Sequence, residues 1–457
     1  MLKSIIFVFV LFVYASLVSA EVAVPAKFAC VGEASIRAMI DNHVHDNKFE
    51  YAVVNLDGAN LKNRLNQNQA LEFPLLTKRK KIIAWREKAK PFNQRDPLLT
   101  QAYVNNSATE IETVSIGASQ SYKFNCNPKR KNLDRNWGCG QLNFLNSTGT
   151  QYEGLFYTDS SGLSVVESAE SLLSNLRKAP VVLEQKCAVI YNVNSHAHFD
   201  IDGDFGENST NAAYSGELMT ELDQTTRAIK DRTYGVHLDG DSEFLAINED
   251  NWFLRMESVI GGANFSYNLI EPLTGKKFKI LLRPRTLQVW NNGFGPTETD
   301  KDRLIAIIND PSYRREVGQT KNQLFYYFVG YDLDGGAAGI AGSICNDSDF
   351  DGFGDAVDFQ DTRALGQQVP DVDNDYEFAT YYGRIVVAIH ELGHILGGRH
   401  EDGVLNQCAG GLLPRLCGTT VMLSGASGGV APDFRELFFS RRNDNNIVAC
   451  IRHADDL

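Results

Sequence analysis

The chain has 457 residues, 43% of them hydrophobic and 10% aromatic, with a formal net charge of −13. That composition excludes a disordered or collagen-like chain, and the length suggests two or three domains with ample material for a core. The acidic balance argues against nucleic acid as a partner, because phosphate binding needs clustered Lys and Arg.

The first residues read as an export signal. Lys3 precedes an unbroken apolar run from Ile5 to Tyr14, and Val18-Ser19-Ala20 offers a small-residue cleavage site. The run is shorter than the roughly 20 residues of a membrane-spanning helix. Residues 1–20 are therefore expected to be removed, leaving a secreted, extracellular, soluble chain with no membrane association. No second long apolar stretch follows. Export permits disulfides, and the eight cysteines are an even set. Asn-x-Ser/Thr triplets begin at Asn105, Asn146, Asn208, Asn264 and Asn346.

Charge divides the chain. Glu21 to Pro180 carries 20 basic and 16 acidic residues, whereas 181–457 carries 23 and 41. The first segment, net +4, includes Lys78-Arg79-Lys80-Lys81 and Lys129-Arg130-Lys131. It reads either as an ordinary domain with solvated basic faces or as a propeptide, 21–180, resting on its own acidic partner, 181–457. Arg177-Lys178 is a candidate processing site. Strand-like runs follow at Val181 to Leu183 and Cys187 to Val193. A helix is expected from Ser209 or Asn211 to about Ile229, with Leu218, Leu222 and Ile229 on one face. Phe278 to Leu282 and Leu324 to Val329 read as strands, and Tyr381 to Leu396 as a second long helix. Strands mixed with two long helices point to an α/β or α+β sandwich.

The most informative segment is His390-Glu391-Leu392-Gly393-His394, followed by Gly397-Gly398-Arg399-His400. On a helix, His390 and His394 at i and i+4 share one face, so both imidazoles reach one zinc ion. Gly397 allows the helix to stop and the chain to turn, which brings His400 in as the third ligand. Glu391 follows the first ligand and stands as the general base for a water molecule. The upstream half of the helix, Ile385 to Ile389, is apolar, as a buried active-site helix should be.

This extended motif resembles that of the metzincin metallopeptidases, in which a methionine-containing turn lies under the zinc. Thr420-Val421-Met422, 22 residues after His400, matches that turn. Within the metzincins the chain is most similar to the adamalysin or reprolysin-like group. Phe328-Val329-Gly330-Tyr331-Asp332-Leu333-Asp334-Gly335-Gly336, with Gly339-Ile340-Ala341 and Cys345 beyond it, looks like that group's strand and substrate edge. Phe438-Phe439-Ser440 looks like its segment before the final helix. The resemblance covers about Val181 to Leu457.

It implies a twisted, mostly parallel sheet with helices around a zinc helix, preceded by a separate pro-region. It implies disulfides Cys345–Cys450 and Cys408–Cys417. The implied activity is hydrolysis of peptide bonds in proteins or peptides, by a monomer held latent by its own propeptide. Two departures separate the chain from neighbouring groups. Glu401 follows His400 where adamalysins usually have Asp, and Ser424 stands where astacins and serralysins have a tyrosine ligand. The alternative function is a metzincin-fold extracellular binding or adhesion protein with little or no turnover. The presence of Glu391 argues against it, since a pure binder needs no general base.

Weaker signals stay open. Asp347, Asp349, Asp351, Asp355 and Asp358, with Gly352 at the sixth position, read as a calcium loop or as an acidic solvated loop. Asp371, Asp373 and Asp375 would add ligands to it. His196 and His198, like His43 and His45, alternate as on a strand face; structural or surface histidines are the simpler reading. Cys139, in Trp137-Gly138-Cys139-Gly140, resembles the cysteine switch of metzincin propeptides, or else pairs with another early cysteine such as Cys126.

Overall fold

A computed structural model of the chain describes residues 29–44, 51–69, 71–74, 81–86, 99–106, 110–117, 120–126, 140–158, 162–184, 186–192, 231–267, 279–291, 303–304, 323–334, 338–342, 363–370, 379–398, 422, 439 and 441–456. These residues build two sheets. The first is antiparallel throughout and has eight strands. Its order runs β1 (Tyr51–Asn55), β10 (Cys187–Asn192), β9 (Gly162–Ser168), β8 (Tyr152–Thr158), β7 (Gly140–Phe144), β6 (Ser121–Cys126), β3 (Lys81–Arg86), β2 (Leu71–Pro74). The second has seven strands. Its order runs β14 (Gly339–Ala341), β15 (Arg363–Gln367), β13 (Gln323–Val329), β11 (Arg232–Gly240), β12 (Ile280–Trp290), β4 (Gln101–Asn105), β5 (Ile111–Ser115). Its five inner strands are parallel, and the edge strands β14 and β5 are antiparallel to their neighbours.

The second sheet obeys the chemistry of its sequence. Every residue of β13 is buried, as expected of a central strand covered on both faces. In β12, Ile280, Leu282, Leu287 and Val289 face the core and Pro284 is buried with them, while the other residues are half-exposed or exposed. The pairing slips between Val236 and His237, so Arg285 has no partner across the ladder. A bulge of this kind is where a strand tolerates a proline such as Pro284, which has no N–H to give.

Alternation in the first sheet separates two cores. Ala52, Val54, Phe124, Leu142, Phe144, Val166 and Ile190 point to one face and pack with Leu61 and Leu65 of helix α2 (Gly58–Asn66). Val53, Leu155, Val165, Val189 and Tyr191 point to the other. There they join α1 (Glu33–Asp41), α3 (Ala169–Leu176), α5 (Trp252–Tyr267), α6 (Tyr381–Ile395) and the inner face of the second sheet in a single core. Helix α4 (Ser242–Asn248) follows β11 and is capped by the Asp241 carboxylate, which accepts from the Phe244 N–H at 2.6 Å. The last helix is α7 (Arg441–Asp456).

Several expectations change. Cys187 to Asn192 does not open the second sheet; it sits inside the first, between β1 and β9. Conversely, the β4–β5 hairpin of the first segment extends the second sheet through Tyr103, Val104 and Asn105, opposite Gln288, Val289 and Trp290. The two segments therefore exchange strands instead of standing apart. Val181 to Leu183 is not a strand, and Val182 is 89% exposed. His43 lies in a turn after α1, so His43 and His45 do not alternate along a strand; His45 is outside the described residues. The helix expected near 209–229, His196 and His198 also fall outside them.

The expected electrostatic match is inverted where the segments meet. The basic first segment supplies two buried carboxylates, Glu153 and Glu167, and the acidic second segment supplies the guanidinium groups of Arg255 and Arg384. A disulfide, Cys30–Cys187, with Cα atoms 5.9 Å apart, links α1's leading loop to β10. It resolves two of the four early cysteines. Cys139 lies outside the described residues.

Candidate metal centre

Helix α6 carries the site, and local chemistry fixes both its ends. The Thr380 hydroxyl accepts from the Gly383 N–H at 3.1 Å, a serviceable N-cap. At the other end Gly397 adopts φ +91°, and the Gly398 N–H donates to the Gly393 carbonyl at 2.8 Å. This left-handed ending is cheap only for glycine. A Cβ on Gly397 would also lie 2.9 Å from the Cys450 Sγ of α7. The apolar residues Ile385, Val386, Val387, Ile389, Leu392 and Ile395 are all buried, so the helix is covered on every side except near His394.

On this helix His390 and His394 turn their rings toward one point. Their Nε2 atoms are 2.9 Å apart, and the rings meet edge to face with centroids 4.6 Å apart. Two nitrogens bound to one tetrahedral zinc at about 2.0–2.1 Å each would lie roughly 3.3 Å apart, so a small opening of the pair admits the ion. The His394 Nδ1 lies 2.9 Å from the Gly398 carbonyl oxygen. With Nδ1–H donating there, Nε2 presents its lone pair to a metal, the usual division of labour in a ligating imidazole. The turn at Gly397-Gly398 thus ends the helix and orients one histidine. Among the described residues no third Asp, Glu, Cys or His completes the set. His400, expected as the third ligand, lies outside them.

Glu391 is wholly buried and faces the edge strand β14. A Cβ on Gly339 would lie 2.7 Å from the Glu391 Cδ and 2.8 Å from its Cγ. Only the absence of a side chain at position 339 leaves room for this carboxylate. Tyr267 and Tyr326 are close enough to sense its charge. Burial first, and the Glu391 charge second, push both phenols well above their ordinary range, so both keep their protons. The Tyr267 hydroxyl donates to the Ile389 carbonyl at 2.8 Å.

Met422 is fully buried beneath the site helix. Its Sδ would be 2.9 Å from a Cβ on Gly393, and its Cε 3.1 Å from one on Gly398. Phe439 closes the same space, its ring tilted 50° to that of Tyr267 with centroids 5.2 Å apart. Glycine at 393 is what lets Met422 and Phe439 come under the histidines. Gly339, Tyr267 and Tyr326 as neighbours of Glu391 were not singled out from sequence. The glycine-rich run around residue 339 was the only local sign.

The remaining expected sites fall elsewhere. Asp347, Asp349, Asp351, Asp355 and Asp358, like Asp371, Asp373 and Asp375, are outside the described residues. So are Cys345, Cys408 and Cys417; Cys450 is disulfide-bonded.

Residues 230–422 match Reprolysin_5, described as metallo-peptidase family M12. No curated protein matches the chain. The matched span holds four of the five parallel strands, α6 and Met422, and over that span the chain is similar to the reprolysin-like metzincins of metallopeptidase family M12.

Proposed function

We propose that the protein is a secreted zinc endopeptidase. The observation that carries this reading is the His390–His394 pair, with Nε2 atoms 2.9 Å apart on the helix that also buries Glu391. His390, His394 and, by its spacing, His400 would hold the ion. A bound zinc supplies Lewis acidity, lowering the pKa of a water toward neutrality and polarising a carbonyl.

The chain's own residues do the rest. Glu391 takes a proton from the attacking water and passes it to the departing amine nitrogen. Its buried setting excludes competing solvent, and Gly339 keeps its carboxylate from being displaced. Tyr267 and Tyr326 keep their protons and so place no second negative charge beside Glu391. An extended substrate would add to the outer edge of β14, the last strand of its sheet among the described residues, whose residues Ile340 and Ala341 are half-exposed and whose backbone lies beside Glu391.

The apolar N-terminal run supports export, and the Cys30–Cys187 disulfide fits an oxidising compartment. Among the described residues no helix is long and apolar enough to cross a membrane. Casein zymography with and without a zinc chelator tests the reading. Clearing that chelation abolishes and zinc restores is expected; chelator-resistant clearing, or none from zinc-loaded protein, refutes it.

A further inference from the structure

The site helix begins among residues of the first segment. Its first residue, Tyr381, gives its backbone N–H to the Glu167 Oε1 of β9 at 2.5 Å. The same oxygen accepts from the Tyr191 hydroxyl of β10 at 2.6 Å. The Tyr381 hydroxyl accepts from Gln141 at 2.9 Å and Asn143 at 2.8 Å, both on β7, and donates to the Ser258 carbonyl of α5 at 3.1 Å. Arg384, one turn further, bonds Glu153 of β8 at 2.7 Å and lies 3.5 Å from Glu167. Arg255 of α5 pairs with Glu153 and also reaches Ser171 at 2.8 Å.

A negative group at a helix N-terminus is favourable, and here it also sets the rotation at which the helix starts. His390 lies six residues after Arg384, about 9 Å along a rigid axis. Gly262 of α5 brings the two helices so close that a Cβ there would run into the Ile385 side chain.

Two further features tie the segments together. Arg177 to Pro180 is exposed, so the candidate processing site is open to a protease. Yet Cys30 lies before it and Cys187 after it, so a cut there leaves the pieces covalently joined. Strand β10, beyond the cut, is held between β1 and β9, before it. And β4, before the cut, is held beside β12.

We propose that the first segment is a retained half of the peptidase, in which Glu153 and Glu167 act as positioning residues for the helix bearing His390, Glu391 and His394. Processing at Arg177-Lys178 then yields a two-piece enzyme, and the first segment is not shed. The inference rests on the zinc-site reading, but its test does not use peptide cleavage.

The full chain carrying Cys30→Ala and Cys187→Ala is nicked at Arg177-Lys178 and passed over a sizing column in high salt, with zinc measured in each fraction. Both pieces are expected in one peak that holds the zinc. A folded C-terminal piece that elutes alone with its zinc overturns the proposal. Glu167→Gln in the intact chain is expected to lower zinc affinity about tenfold and to alter the absorption bands of the cobalt-substituted protein. Unchanged affinity with unchanged bands contradicts the positioning role. Because nicking leaves the buried cluster unmutated, it decides the matter even if Glu167→Gln fails to fold. A chain that passes these tests and cleaves nothing refutes the peptidase reading alone.

Discussion

Gly339 of the edge strand and Glu391 of the site helix are packed so closely that a methyl group at 339 would come within 2.7 Å of the Glu391 Cδ. The glycine is thus a spatial requirement of the Glu391 carboxylate, the proposed general base. Gly339→Ala should displace the carboxylate by a good fraction of an ångström and lower kcat by about a hundredfold. Zinc content should stay at the wild-type level, since the substitution leaves His390 and His394 in place. Steady-state kinetics beside metal analysis checks both parts.

The buried His237 predicts a pH dependence of stability. Its Nδ1 lies 2.9 Å from the Thr286 hydroxyl and its Nε2 3.0 Å from the Gln323 Oε1. Burial foremost, with Arg285 and Arg363 nearby, holds the imidazole below its ordinary range, and the bond to Gln323 offsets part of this. The unfolded chain takes up a proton near pH 6.5 and the folded chain only at lower pH. The unfolded state therefore binds more protons, and stability falls as the pH drops from about 6.5 through the lowered native value. The slope from this residue is at most about 1.4 kcal/mol per pH unit. Thermal melts between pH 7 and 5 should flatten in His237→Gln; an unchanged slope would assign the effect to other groups.

Asn264 lies on α5 with 1% exposure, and its amide both donates to the Leu282 carbonyl and accepts from the Leu282 N–H, each at 2.7 Å. Asn264→Ala leaves two buried backbone groups without partners and should cost about 2–4 kcal/mol in denaturant unfolding. The same burial removes Asn264 from glycosylation, and Asn105, at 3% exposure, with it. Asn146 sits in a turn and bonds only the exposed Thr150 side chain through its Nδ2, at 2.8 Å. In a glycosylating host, peptide mapping should find a glycan at Asn146 and none at Asn105 or Asn264.

Glu153 and Arg384 are both fully buried. Removing one partner strands the other, so Glu153→Ala should destabilise the fold by about 3–5 kcal/mol. Arg255 shares the same carboxylate, so the Arg384→Met and Arg255→Met effects should be non-additive, which a double-mutant cycle measures directly.

What could be read from sequence was what is local. The His390–His394 spacing, the Gly397 stop and the apolar runs of β13 and α6 each follow from neighbours within a few residues. Long-range strand exchange left no such trace, so β10 and β4 could not be assigned to their sheets. Helix α5 gives no amphipathic signal in the sequence, because it is buried almost all round and shows no polar face. The polar row Gln141, Asn143, Glu153 and Glu167 alternates with apolar residues and reads as a solvent face. Instead it is buried against α6, where it satisfies the helix start. Overall charge is a poor guide for a related reason: it counts surfaces, whereas the buried ion pairs between the segments carry the opposite assignment, Glu153 and Glu167 from the first and Arg255 and Arg384 from the second.

In the proposed zinc-dependent cleavage, Glu391 moves the proton. The most direct test is Glu391→Ala, assayed for bound zinc and for hydrolysis of a quenched fluorescent peptide. Wild-type zinc content with activity reduced by at least about a thousandfold is the predicted result. A variant that keeps its zinc and still cleaves at the wild-type rate would contradict it.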